Sequence, residues 1–247
     1  MTTARVYTIP TLYGDVLKQA HTLVAGQTGS GKSVFLNGVL TTACKKGDIA
    51  FILIDPKRVE LVDYKHLPNT LRYANTPTEA VNCLDYALGI MEARYIEMEK
   101  QGEKQSKECS VIVVIDELAD LLISSESKTI QKQLQRLTAL GRASNVHCIV
   151  ATQCPNRKIL PANITLNFSA RVALHCQTAI ESRQVINEKG AEDLPMYGEC
   201  LYLRPSHKVE KFNVPMTSEE DKADAIASCK EANSDLTPNL IRAIFRA

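Results

Sequence analysis

The sequence lacks the features that would place it in several large classes. It has almost no net charge: 29 Lys and Arg stand against 28 Asp and Glu, for +1 overall. It is therefore not a globally basic nucleic-acid binder, and any positive charge for a polyanion must be local or made by assembling several copies around a channel. No apolar run approaches the ~18 residues of a membrane span, and the opening MTTARVYTIP holds no signal-peptide stretch. Eight cysteines include no C-x-x-C pair, which argues against a zinc site. Cys148, Cys176 and Cys200 lie inside apolar runs instead, where a free thiol behaves as a small hydrophobe. That usage fits a reducing setting, and the expected location is the cytoplasm. Internal repeats and low-complexity tracts are also missing.

What is present is a 247-residue chain, 45% hydrophobic, long enough to bury a sizeable core. Short apolar runs, HTLVA (21–25), IAFILI (49–54), VIVVI (111–115), HCIVA (147–151) and ARVALHC (170–176), alternate with helical patterns. Runs apolar at adjacent positions are strands covered on both faces, so the pattern predicts an α/β fold with a mainly parallel sheet flanked by helices. Val81, Leu84, Leu88, Met91, Tyr95 and Met98 recur at helical spacing behind Thr76-Pro77-Thr78-Glu79, a capping box with proline in the first turn. Ile130, Leu134, Leu137 and Gly141 mark a second helix, and 101–108 and 124–128 read as polar loops. Residues 200–203 and 209–213 predict a late hairpin, and the tail from about 217 carries two short helical patterns. The expected organisation is an N-terminal extension (1–19), one main α/β domain (20–215) and a short helical tail (216–247).

Residues 26–33 read G-Q-T-G-S-G-K-S directly after a strand and at the start of a helix, the full phosphate-binding P-loop pattern in its proper context. Gly26, Gln27, Thr28, Gly29, Ser30 and Gly31 form a loop whose N–H groups can converge on phosphates, reinforced by the helix N-terminus. Lys32 neutralises the outer phosphates of ATP, and Ser33 offers a hydroxyl to Mg²⁺. The partner element is VIVVIDE. Asp116 ends a buried strand, where it can hold Mg²⁺, and Glu117 follows as a candidate general base for water. An acidic pair at a strand end also caps a following helix, so both roles stand at this point. Gln153 closes the next strand, where a polar side chain can touch the γ-phosphate or the attacking water.

Taken in order, these segments resemble the motor domain of the FtsK/SpoIIIE family of DNA translocases. FILIDPKRVEL is similar to that family's DPK-x-x-EL segment, IMEARY to its EMERRY helix, and IDELADL to its Walker B stretch. LGRASNVHCIVATQ is similar to its ARA-to-ATQ stretch, and ESRQVINEKGAEDLPMYGECLY to its DSR-to-GDMLY stretch. The resemblance spans about residues 20–204. It implies a RecA-like core, a ring of subunits, expected to be a hexamer, with ATP between neighbours, and double-stranded DNA as the partner, brought by a recruiting protein. It also implies that Arg142 is an arginine finger for the next subunit, and that Arg183 touches DNA or an interface.

The departures fall in the segment expected to line the channel. Cys154 stands where the family has arginine, Pro161 where it has lysine, and about four residues are added before Arg171. Arg157 and Lys158 are the expected replacements. Across 154–183 four positive residues (Arg157, Lys158, Arg171, Arg183) face the single negative Glu181, a local +3 that suits phosphate contact. The family's membrane region and its winged-helix module have no counterpart in the sequence, so a stand-alone motor of a mobile element is expected. Type VII secretion ATPases share the implied fold and supply the alternative function. Their branch tends to D-x-K-G-G where this chain reads Asp55-Pro56-Lys57-Arg58.

Overall fold

The central strands follow from short apolar runs rich in β-branched residues, and the longer helices from the amphipathic stretches between them. The structure, a computed structural model, describes residues 9–153, 155, 161–205 and 208–232. In chain order the elements are α1 (Ile9–Val16), β1 (His21–Ala25), α2 (Lys32–Lys46), β2 (Ile49–Ile54), β3 (Thr70–Ala74) and α3 (Pro77–Gln101). There follow β4 (Ser110–Ile115), α4 (Leu118–Leu122), α5 (Ser127–Leu140), β5 (Val146–Thr152) and α6 (Ala162–Thr165). The chain continues through β6 (Ala170–Ala173), α7 (Ala179–Ile186), β7 (Glu199–Leu203), β8 (Glu210–Asn213) and α8 (Glu219–Ala232).

One eight-stranded sheet has the order β3-β2-β4-β5-β1-β6-β7-β8. The first six strands in that order pair parallel, and the β7–β8 hairpin adds antiparallel to β6. The α/β RecA-like architecture and the late hairpin are therefore as expected. Alternate residues of the central strands feed opposite faces. Phe51 and Leu53 join Phe35, Leu36 and Leu40 of α2 on one side. Ile52 and Ile54 join Leu84 and Met91 of α3 and Leu134 of α5 on the other. The two-residue period of the strand is what delivers both cores.

Several boundaries move. α5 begins at Ser127, inside the stretch 124–128 expected to be loop, and β6 ends at Ala173, short of the apolar run that extends to Cys176. The capping box at Thr76 and Glu79 forms as read, with the Thr76 hydroxyl accepting from the Glu79 amide. At the chain's two ends, α1 buries Leu12, Tyr13 and Val16, and α8 buries Ala225 and Cys229, all within the cluster that covers α2. The second helical pattern of the tail lies outside the described residues.

Candidate functional site

The P-loop leaves β1 at its carboxyl end and is anchored on both sides. Gly26 N–H donates to Thr152 O on β5 at 3.3 Å, and Gln27 N–H to His175 O, just beyond β6, at 2.9 Å. Gly29 and Gly31 have φ of 79° and 93°, the left-handed region where a side chain strains the backbone. Gly26 is needed for a different reason: a Cβ there would lie 2.5 Å from Ser30 Oγ and 2.8 Å from Leu174 Cβ. The loop then feeds α2, so its amides and the helix N-terminus face one space. Lys32 is buried, and its ammonium donates to the carbonyls of Gly26 at 2.5 Å and Gln27 at 2.9 Å. Burial pulls its pKa down to about 8, against the opposing pull of Glu117 and Asp116.

β4 delivers the acids to the same rim, separated from β1 by β5 alone. Asp116 is buried, 6% exposed. Burial first, then the nearby Asp55 and Glu60 carboxylates, push its pKa up to about 7. Carboxylates crowded in this way, with Glu60 on the Ser33 hydroxyl and a buried Asp55 Oδ1 that lacks a hydrogen bond, are what a divalent cation would relieve, so the residues present fit Mg²⁺. Glu117 is 2% exposed and caps α4, accepting from Ala119 N–H at 3.2 Å. The capping reading is thus correct, and it does not displace the other, because the cap fixes the carboxylate on the phosphate side of the sheet. Gln153 N–H donates to both Glu117 oxygens at 3.1 Å. The Gln153 side-chain oxygen accepts from Thr28 Oγ1 at 2.8 Å. Gln153 therefore ties the P-loop to the acidic strand from the strand between them.

The segment Asp55–Leu61 also belongs to this site, although only its family likeness had marked it. Asp55 ends β2, next to β4, and its Oδ2 accepts from Leu61 N–H at 3.1 Å, curling the segment back on itself. Within the curl, Glu60 Oε1 accepts from Ser33 Oγ at 2.5 Å and Lys57 Nζ lies 3.3 Å from Glu117 Oε2. One short loop thus reaches both the candidate metal ligand and the candidate base. A charged Asp-Pro-Lys at the end of a strand as apolar as IAFILI was the available signal.

Arg142 sits elsewhere. It is exposed on the turn between α5 and β5, at the amino end of the sheet, opposite the P-loop rim. Arg94 braces that turn, donating to Ser144 O at 2.8 Å, Asn145 O at 3.2 Å and Cys109 O at 2.8 Å. Tyr95 OH donates to Leu140 O at 2.7 Å, so the IMEARY segment holds the turn in shape. Arg183 is exposed on α7, beside a shallow groove that Gln184, Asn187 and Arg171 also line. Arg171 corrects the charge tally of 154–183. It is buried, and its guanidinium donates to Phe168 O and Val185 O at 3.1 and 3.2 Å, so its charge is used inside the fold. Arg157, Lys158 and Cys154 lie outside the described residues, while Pro161 precedes α6.

Comparison with known proteins bears on the family and the fold. The model of the FtsK/SpoIIIE family matches residues 9–108 and 96–157. The DNA translocase FtsK 1 of Neisseria meningitidis serogroup A is 33% identical over 255 residues, covering 88% of this chain and 31% of that protein. The chain thus spans about a third of the length of that curated relative. Among solved structures, the pCW3 conjugation coupling protein TcpA, in its monomer form with ATPgS, superposes with a TM-score of 0.75 at 24% identity over 86% of this chain and 66% of that one. The cytoplasmic domain of the Thermomonospora curvata type VII secretion ATPase EccC gives 0.72 at 22% identity, over 85% of this chain and 28% of that one. At those identities the two structures establish the shared fold. No described helix is long and apolar enough to cross a membrane. With its P-loop and acidic strand on one rim, the chain belongs to the FtsK/SpoIIIE family of P-loop ATPases.

Proposed function

We propose that this chain hydrolyses ATP to move double-stranded DNA, working in the cytoplasm as a ring of identical subunits. The observation that carries the reading is the division of catalytic groups between two ends of one sheet. Lys32, Ser33, Asp116, Glu117 and Gln153 occupy the carboxyl rim, while Arg142 stands exposed on a braced turn at the amino end. A residue so placed cannot serve its own P-loop, but it can serve that of a neighbour stacked end to face.

Lys32 and the loop amides of Gly29 to Ser33 hold the phosphates, and the Ser33 hydroxyl and Asp116 hold Mg²⁺, which supplies charge neutralisation when bound. Glu117 takes a proton from water as the water oxygen bonds to the γ-phosphorus. The bond from that phosphorus to the bridging oxygen breaks, releasing ADP and phosphate. Gln153, bonded to Thr28 and to Glu117, is placed to register loss of the γ-phosphate. Arg142 of the adjoining subunit offsets charge on the departing phosphoryl group.

The names of the relatives, DNA translocases, support DNA as the substrate, and its double-stranded form is part of this proposal. With a net charge of +1, one subunit has little field, so binding depends on ring closure concentrating Arg157, Lys158 and Arg183 around one axis. A recruiting protein would then choose the DNA, and a plasmid, phage or conjugative element is the proposed source, since the fold is shared with the pCW3 conjugation coupling protein TcpA. The type VII secretion reading shares the fold, but Asp55-Pro56-Lys57-Arg58 departs from that branch at the loop that touches Ser33 and Glu117. The test is the ATPase rate with and without double-stranded DNA across a salt series. Stimulation that falls steeply with salt supports translocation, whereas a rate indifferent to DNA at every salt concentration rules it out.

A further inference from the structure

The carboxylate proposed as general base is already engaged. Glu117 Oε1 accepts from Ala119 N–H and Gln153 N–H, and Oε2 accepts from Gln153 N–H and Lys57 Nζ. A base that is to take a proton from water needs a free lone pair pointing at that water. The two backbone amides are fixed by α4 and β5 and cannot move without unfolding the rim. Lys57 is different: its side chain is 35% exposed against 2% for Glu117, and it sits on a surface loop rather than within a strand or helix. Of the three donors it alone can leave by rotating its own side chain.

We propose that Lys57 is a latch on Glu117, a positioning residue that withholds the base until an anion draws its ammonium away. The natural competitor is the γ-phosphate of ATP, bound against Lys32 and Thr28 on the same rim. The loop geometry gives the latch its coupling. Asp55 Oδ2 holds Leu61 N–H, and Glu60 Oε1 holds Ser33 Oγ at 2.5 Å, so engagement of Ser33 by Mg²⁺ disturbs the same seven-residue curl that carries Lys57. On its outer side the curl presents Val59, 67% exposed, and Arg58 with φ of 61°. A contact made there by a neighbouring subunit would bear on Lys57 and Glu60 together. Nucleotide, metal and neighbour thus all act on one residue that decides whether Glu117 is available.

This inference rests on the reading of Glu117 as the base, and the experiment separates the two. Lys57→Gln should raise kcat for DNA-free ATP hydrolysis about fivefold, the worth of a part-exposed ion pair, with KM unchanged. Lys57→Arg, which keeps the charge, should stay at the wild-type rate. A purely structural role for Lys57 would lower kcat or leave it alone, and either result with an active wild type overturns the latch. A second measurement needs no turnover. Thermal melting of Lys57→Gln, Glu117→Gln and the double variant should show non-additive shifts without nucleotide, and additive shifts in magnesium ATPγS. Coupling that is absent at the start, or that persists unchanged with the analogue, overturns the latch as well. A wild-type protein with no ATPase activity, with or without DNA, overturns the proposed function, while the melting cycle still decides whether Lys57 lets go.

Discussion

The two ends of the central sheet both bury polar groups, yet they use them differently. At the amino end, Arg94 is 5% exposed and its guanidinium meets three backbone carbonyls. His147 lies 3.0 Å from Ala20 O, and His21 Nδ1 accepts from Cys148 N–H at 3.2 Å. Those contacts stitch loop to strand. At the carboxyl end the groups crowd like charges together: Asp55, Glu60, Asp116 and Glu117 lie close to one another, with Lys57 and Lys32 among the cations that act on them. Polar groups held by backbone partners make structure, whereas a cluster of like charges that repels itself is suited to binding something of the opposite sign. The difference locates the chemistry independently of any motif.

The largest effects test whether the ends really divide the work. Glu117→Gln should lower kcat roughly a hundred- to ten-thousand-fold with nucleotide affinity retained, measured by turnover beside binding of a fluorescent ATP analogue. Arg142→Ala should be slowed roughly a thousandfold. Mixing the two proteins should restore hydrolysis, because an intact Glu117 then meets an intact Arg142 from a neighbour. Mixed rings without recovery would mean that the amino end contributes no catalytic group.

Next in size is Arg94→Ala, which strands three carbonyls and should cost about 3 kcal/mol of stability by denaturant titration. ATP affinity of the folded fraction should not change. A variant that keeps its stability would show that the amino end is not the stitched end described above.

A smaller effect separates the ends by pH. Burial, and secondarily His147, lower the His21 pKa from 6.5 to about 3. The folded form stays neutral where the unfolded form takes a proton. His21 therefore contributes stability in full above 6.5 and loses it as pH falls toward about 3, with a slope of about 1.4 kcal/mol per pH unit in that window. His21→Gln should flatten the acid limb of a melting-temperature profile. Asp116 has the opposite sign, since its pKa is raised to about 7 from 3.8. It favours the folded state at low pH and withdraws that support as pH climbs through that interval, so Asp116→Asn should raise the melting temperature near pH 8. The smallest effect concerns DNA. Arg157→Ala with Lys158→Ala should reduce DNA stimulation and flatten its salt dependence while basal hydrolysis persists, and an unchanged salt slope would move the contact to Arg183.

Much of this was legible in the sequence because it is local there. The P-loop, the IDE strand end and Gln153 are each contiguous, and the five apolar runs identify the buried parallel strands. β3 was missed because TLRYA is an edge strand with one fully buried residue, so it shows neither a continuous run nor a clean alternation. Lys57 was missed as a site residue because its reach to Glu117, sixty residues on, depends on β2 lying beside β4, and Glu60 because its loop folds back onto Ser33, 27 residues earlier. Arg171 was misread for the converse reason. Its charge was counted with the rest of 154–183 although it lies inside the apolar run ARVALHC, and the Val185 carbonyl that takes up its guanidinium is brought to it by α7 only in the fold.

The cover of α2 has a consequence for how the chain assembles. Tyr13 fits over Gly38 where a side chain would clash, and its hydroxyl donates to Pro215 O at 3.1 Å, 202 positions away. α8 lies along the same helix, and Cys229 reaches Asn69. The helix whose first turn cradles phosphate is thus enclosed by the first and the last described segments together. On a ribosome that enclosure has to wait: the early residues emerge with one flank of α2 bare, and closing so long a loop adds its entropy to the slowest part of folding. Cradle and motor then mature only when residues near 229 have left the exit tunnel, so a nascent chain should stay protease-sensitive around α2 until those residues emerge.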